Sequence, residues 1–251
     1  MYREVKPSPD LAPFVECFWI SEVESDGSQR ILPDGCVDLL FFSRGKQLVD
    51  AQIVGAMTRF QDVPLRRRET ILGVRFHPGM AGACLPCDIP SLSDRSIPLD
   101  AVFDRAATRL LKDLGNCSSI EARVENLGAR LVRRPKITDV QQAIGELVRQ
   151  HGHLSVADFA DSAGIGDRQL RRACYRHSGL APKQLARILR FRHASILLRE
   201  GAKDLAGLAL DCGYYDQAHL IRDFRHLAGT SPAKYLRQMS VFSNSTDGPS
   251  A

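Results

Sequence analysis

The spacing of hydrophobic and polar positions changes character twice along the chain. Up to about residue 90, short apolar or β-rich runs (FVECFWI, CVDLLFF, KQLVDAQIVG and ETILGVRF) alternate with the turn signals SDGS, LPDG and HPGM, which predicts strands joined in an antiparallel sheet. From Ser91 the period lengthens. The segments DAVFDRAATRLLKDLG and SIEARVENLGARLV place leucines four apart, at Leu110/Leu114 and Leu127/Leu131, which predicts short helices closing the sheet domain. The basic stretch RRPKITD carries Pro135, which interrupts the preceding helix and marks a linker. Beyond it the pattern is helical, until the polar tail VFSNSTDGPSA, which reads as disordered. The predicted class is α+β: residues 1–132 a β-rich domain with short helices, 133–138 a linker, 139–240 an all-α domain, and 241–251 the tail.

The helical part contains a repeat. VADFADSAGIGDRQLRRACYRHSGLAPKQL, from Val156, aligns with LAGLALDCGYYDQAHLIRDFRHLAGTSPAKYL, from Leu205. The first portions match at an offset of 49 (Phe159/Leu208, Ala160/Ala209, Gly164/Gly213) and the rest at 50 (Leu170/Leu220, Arg172/Arg222, Gly179/Gly229, Pro182/Pro232), so one residue has been added in the turn. Each unit reads as a short apolar helix, a glycine turn, a second helix and a capped third, and the first two of these form a helix-turn-helix. In the later unit Leu220, Phe224 and Leu227 form one stripe, while Ala218, Arg222 and Arg225 lie on another face. The helix ends at Ala228-Gly229, and Ser231-Pro232 starts the next as N-cap and N1. In the earlier unit Arg168, Arg171, Arg172 and Tyr175 share a face opposite Leu170, Cys174 and His177.

Such a second helix enters the major groove of DNA with its N-terminal part against base edges, while the first helix lies across the backbone. Between the units, PKQLARILRFRHASILLREG predicts one helix of about 19 residues, ~28 Å long at 1.5 Å per residue. A spacer of that length suits two recognition helices near the ~34 Å that separates successive major grooves on one face of B-DNA.

Charge supports this reading through its distribution. Residues 1–138 carry 19 Lys/Arg against 18 Asp/Glu, and residues 139–251 carry 15 against 11, so most of the net +5 lies in the helical part. Six of the seven histidines lie there too, and its cations are 12 Arg and 3 Lys. Arginine is the side chain suited to forked contacts with phosphates and guanine edges. Seven cysteines without regular spacing fit reduced thiols, no apolar run reaches bilayer length, and the N-terminus lacks the pattern of a secretion signal, so a cytoplasmic protein is expected.

The pattern GYYDQAHLIRDFRHLAGTSPAKYLR resembles the C-terminal signature of the AraC/XylS family of bacterial transcription regulators. LSVADFADSAGIGDRQLRRACYRHSGLAPKQLARILRFRHASILL resembles its first helix-turn-helix with the linker helix, and the resemblance covers roughly residues 139–239. It implies a monomeric domain with two recognition helices in adjacent major-groove segments of double-stranded DNA, joined to a variable sensor domain. Carried over by position, the base-facing sites fall on Arg168, Gln169, Arg171 and Arg172 around Leu170, and on Gln217, Ala218, His219 and Arg222 around Leu220. The chain departs from the pattern at Cys174, where the family often has Phe. Ala218 offers no hydrogen bond, which leaves the second helix to read fewer bases, touch a thymine methyl or hold the backbone.

The N-terminal runs ILPDGCVDLLFF and GVRFHPGMAGACL are similar to a β-rich segment fused to some regulators of this family, of a kind described as cupin-like sensors. The resemblance leaves the ligand unknown, although a concave sheet is a natural small-molecule cradle. The expected protein is a non-enzymatic regulator without cofactor or metal, controlled by a small-molecule effector or by homodimerisation through this domain. RNA polymerase is a further partner if it activates, and no membrane is involved.

Other residues carry blander readings. Asp34 makes the turn that Gly35 permits rather than lining a pocket with Asp38; His77 alone makes no metal site; Arg66, Arg67 and Arg68 form a solvated loop. The competing chemistry is a zinc-thiolate, alkyl-accepting DNA repair protein built on Cys84 and Cys87 with Cys17 and Cys36, in which an activated thiolate attacks an alkylated phosphate. Only one close cysteine pair exists, and Cys17 and Cys36 read as small hydrophobes in strands.

Overall fold

A computed structural model of the chain describes residues 1–103, 105–131 and 136–243, with side chains as far as 237. Half of the predicted linker (133–135) and most of the predicted tail (244–251) lie outside the described residues, while the last helix continues to Ser243.

The four apolar runs form the long strands β2 (Val15–Glu22), β4 (Val37–Arg44), β5 (Gln47–Val54) and β7 (Glu69–Phe76). Two short edge strands, β1 (Tyr2–Val5) and β8 (Ser96–Pro98), complete an antiparallel sheet of order β1-β2-β7-β4-β5-β8. A separate ribbon pairs β3 (Gly27–Ile31) with β6 (Gln61–Leu65). Edge strands and ribbon are too polar for an apolar period to announce them. The inward face of the sheet carries Phe18, Ile20, Leu39, Phe41, Ile53, Leu72 and Val74, all buried. It is covered by α3 (Arg105–Gly115) and α4 (Ile120–Leu131) through Ala107, Leu114, Leu127 and Leu131, with α1 (Ala81–Cys84) and α2 (Leu99–Phe103) at its margins. Arg123 of α4 is buried here, and its guanidinium donates to Leu114 O (3.1 Å), Ser43 Oγ (2.7 Å) and Lys46 O (2.6 Å), so the charge is solvated by the fold itself.

The other face is polar at its centre. Arg75 lies between Asp38 (3.2 Å) and Asp34 (3.5 Å), and Trp19 Nε1 donates to Asp38 at 3.2 Å. Trp19 lies across Gly73 so closely that any side chain there would collide with the indole. Burial raises the Asp38 pKa against the pull of Arg75. Asp34 also accepts from the Cys36 amide at 2.9 Å, so it makes the expected turn and an ion pair besides. His77 bonds the Ala12 carbonyl (3.2 Å), and Arg66–Arg68 form an exposed turn between β6 and β7.

The helical part builds a second core from α5 (Asp139–Arg149), α6 (Val156–Ser162), α7 (Asp167–Ser178), α8 (Pro182–Arg199), α9 (Leu205–Asp211), α10 (Gln217–Leu227) and α11 (Pro232–Ser243). Helix α5 begins with a capping box between Thr138 and Gln141. Beside α8, three imidazoles gather: His151 stacks on His193 (ring centroids 3.8 Å apart), His153 lies 6.3 Å from the same ring, and Cys212 Sγ approaches His193 Nδ1 at 3.9 Å. Burial lowers the pKa of His153 and of His193; Arg190 and His151 add to the first shift, His151 and His153 to the second, and Glu200 opposes the second.

Because these folded-state pKa values lie below the unfolded value of about 6.5, the unfolded chain takes up protons that the native chain resists. Stability should therefore be level above about pH 6.5 as far as these groups are concerned, and should fall as pH drops through that value. Urea midpoints measured between pH 7.5 and 5.5 check this, and His193→Gln should flatten the slope.

Candidate DNA-binding surface

The two helix-turn-helix units are built by the same local chemistry. Ser155 caps α6 by accepting from Asp158 N (3.1 Å), and Asp204 caps α9 by accepting from Ala206 N (2.9 Å). The turns pass through the left-handed region at Gly164 (φ 63°) and Gly213 (φ 71°), where a Cβ would be strained. The second turn holds the extra residue, since α7 begins at Asp167 and α10 at Gln217. Asp216 caps α10 by accepting from His219 N (2.6 Å), and the N-terminal positive end of the helix favours that carboxylate.

On α7, Leu170, Cys174 and Ser178 face the core. Cys174 fills its position completely, fully buried and 3.7 Å from Ser178 Oγ, so the smaller side chain leaves the helix packed. Arg168, Gln169, Arg171 and Arg172 are exposed together on the opposite side with Tyr175, and among the described residues none of these three arginines is ion-paired. On α10, Leu220, Phe224 and Leu227 are buried, and Gln217, Ala218 and Arg222 are exposed. His219 is half-buried and belongs to the turn as much as to the surface: its Nδ1 accepts from Tyr215 N (3.4 Å) and its ring meets Tyr214 edge-on (5.1 Å). That contact places the proton of the neutral ring on Nε2, leaving it as a donor.

Two further residues at α10 stand out only in the structure. Tyr215 is 87% exposed at the mouth of α10, and its signal was the second aromatic of GYYDQ, which no core needs. Asp223 is 3% exposed on the core side of α10, where Arg187 of α8 pairs with it at 2.8 Å. An acid on the apolar stripe of an amphipathic helix is a sign of such a partner.

Burial raises the thiol pKa of all four cysteines of the competing zinc-thiolate reading. Burial pushes Cys84 and Cys87 up to about 11, with Asp88 adding to the second, and burial then Glu4 push Cys17 up to about 12. Among the described residues no group of three or more His, Cys, Asp or Glu is placed to hold a metal ion. Nothing here supports a zinc-thiolate centre. A groove between β5 and α3, lined by Leu48, Asp50, Leu111 and Lys112, is open to solvent and forms no enclosed cradle. No helix among the described residues is long and apolar enough to cross a membrane.

Residues 159–238 match a family model described as a helix-turn-helix domain, and residues 3–98 match one described as a domain of unknown function (DUF6597). An uncharacterized HTH-type transcriptional regulator of Haemophilus influenzae is 24% identical over 86 residues; the match takes in 34% of this chain and 29% of that relative's length. Among solved structures, the DNA-binding domain of AdpA in complex with a target DNA is 23% identical, with 43% of this chain and 99% of that chain covered and a TM-score of 0.41. ToxT from Vibrio cholerae is 12% identical, with 88% of this chain and 98% of that chain covered and a TM-score of 0.47.

Arg187→Ala should leave the Asp223 carboxylate buried without its partner and cost about 2–3 kcal/mol of stability, read as a lowered urea midpoint. Asp223→Asn in the same background should recover much of the loss.

Proposed function

We propose that this chain, which carries an AraC-type helix-turn-helix domain over residues 159–238, is a transcription regulator that reads double-stranded DNA with both α7 and α10. The observation that carries the reading is the repeated polar face, whose arginines form no ion pair among the described residues: two helices, equivalent in the repeat, each expose side chains able to reach base edges while their opposite faces fill one core. Arg168, Arg171, Arg172, Gln217 and Arg222 supply the sequence readout, Gln169 and the His219 Nε2–H are further donors, and Ala218 offers a methyl for a thymine. Tyr215 and exposed cations such as Arg225 hold the phosphate backbone, so affinity falls steeply with salt.

The N-terminal domain of residues 1–132 serves as the controlling part, through a small-molecule effector or through pairing with a second copy, and 139–240 is the DNA-binding part. Support for control comes from the contact between them: Glu16 of β2 pairs with Arg192 of α8, Gln141 Nε2 donates to Gly79 O (3.0 Å), and Ala56 packs into the helical core. Burial would raise the Glu16 pKa, but the Arg192 guanidinium overrides it and holds the carboxylate below its usual range. The same reading places the protein in the cytoplasm, with RNA polymerase as a further partner if it activates transcription.

Selection from a random duplex pool with the 251-residue chain should enrich a site of two half-sites about one helical turn apart. At that site Arg172→Ala should cost about 1–3 kcal/mol and relax a single base position. An equal loss on every sequence would make Arg172 a phosphate contact, and failure of the wild type to enrich any sequence at moderate salt would sink the reading.

A further inference from the structure

Both recognition helices end against the N-terminal domain at the equivalent glycines Gly179 and Gly229 of the repeat, although the carbonyls that are gripped lie one position apart. Helix α7 stops at Gly179 (φ 74°) and α10 at Ala228-Gly229 (φ 68° at the glycine). At the first end, Ser93 Oγ donates to the Gly179 carbonyl at 2.8 Å, and a Cβ on Gly179 would stand 2.4 Å from that hydroxyl. At the second end, Arg30 Nη1 donates to the Ala228 carbonyl at 3.2 Å, and a Cβ on Gly229 would stand 2.5 Å from the Phe60 ring. These are the C-terminal carbonyls that a helix leaves without internal partners, so a donor there satisfies the end and fixes its position.

The two donors grow from one braced piece. Arg30, although exposed, is held by two partners: it forks onto its cross-strand neighbour Asp62 with bonds of 2.8 and 2.7 Å, and its guanidinium lies 4.0 Å over Phe60. Ser93 is held through its neighbour Asp94, whose carboxylate accepts from Thr58 N (2.6 Å) and Thr58 Oγ (2.7 Å) and whose amide donates to Ala56 O (3.1 Å). The segments 55–62 and 92–95 approach so closely that a Cβ on Gly55 would fall 2.0 Å from the Leu92 carbonyl oxygen. One strut, running from Ser93 through Asp94, Thr58 and Phe60 to Asp62 and Arg30, therefore spans the caps of α7 and α10.

We propose that Ser93, Arg30 and Phe60 are positioning residues for DNA readout: the strut holds both recognition helices by their C-terminal caps and so fixes the spacing at which their N-terminal halves meet the two half-sites. This rests on the DNA-binding reading above. The shared hydrophobic core keeps the helices together, but apolar packing is non-directional, whereas hydrogen bonds to cap carbonyls set where each helix end sits. Gripping the caps also leaves the exposed faces at Arg168–Arg172 and Gln217–Arg222 free. The two arms act in series, so releasing either one frees the spacing as much as releasing both.

The test compares the 251-residue wild-type chain, Ser93→Ala, Arg30→Ala and the double variant on the selected duplex and on the same duplex with one base pair inserted between half-sites. Wild type should prefer the original spacing about tenfold or more, each single variant only about two- to threefold, and the double variant no less than the singles. A second readout needs no DNA: amide exchange in the last turn of α7 should quicken in Ser93→Ala, and that of α10 in Arg30→Ala. Full spacing preference in the double variant, losses that add, or cap exchange unchanged in both single variants would overturn the proposal. If wild type selects no sequence while the caps loosen as expected, the DNA-binding reading falls and the strut remains as an internal brace alone.

Discussion

Burial of α8 on most of its circumference is the constraint on which the helical half depends. Leu185, Ile188, Leu189, Phe191, Ala194 and Leu198 are all buried, so this helix has no free apolar stripe and must be enclosed by the units on either side of it. Phe191 meets Phe224 edge-on at 4.8 Å, and Phe224 meets Tyr235 at 5.8 Å, which ties the second unit to the same helix. Leu170, Cys174 and Leu180 join the same core from the first unit. Two helix-turn-helix units that could have been independent beads thus form one body, and their polar faces are set by what remains outside the core.

The contact with the sheet domain has a different physical character. It combines a few apolar insertions, such as Ala56 in the helical core and Leu185 beside Gly35, with specific polar bonds: Glu16 to Arg192, Ser93 to Gly179, Arg30 to Ala228. Polar, geometrically exact bonds suit a contact whose job is to hold an orientation, and a contact of this kind can be redistributed by a modest change on the sheet side. The Arg75–Asp34–Asp38 group on the open face of the sheet lies close to it in the chain of interactions, since Cys36 Sγ donates to Glu16 (3.4 Å) beside the Asp34 turn.

Much of this was legible in the sequence, for reasons that can be named. Strands β2, β4, β5 and β7 announced themselves because their inner faces must be apolar, and the repeat announced the two units because Gly164, Gly179, Gly213 and Gly229 occupy left-handed positions that few other residues tolerate. Strands β1, β3, β6 and β8 did not, because edges and ribbons bury too little to imprint a period. The exposure of Arg168, Arg171, Arg172 and Arg222 followed from helical spacing alone, whereas His219 could not be separated from its neighbours until its ring was seen bonded within the turn.

By itself, then, the sequence determined the periodicities: which face of each strand and helix must be covered, where the chain must turn, and which side chains are left to face outward. Those properties depend on residues close together in the chain. Only the tertiary structure decided which distant groups meet: that Arg187 finds Asp223, that Arg192 finds Glu16, and that Ser93 and Arg30 close on the two helix caps. A polar side chain carries no period and no address, so its partner across 36, 176 or 198 residues is fixed only when the apolar cores have placed the backbones.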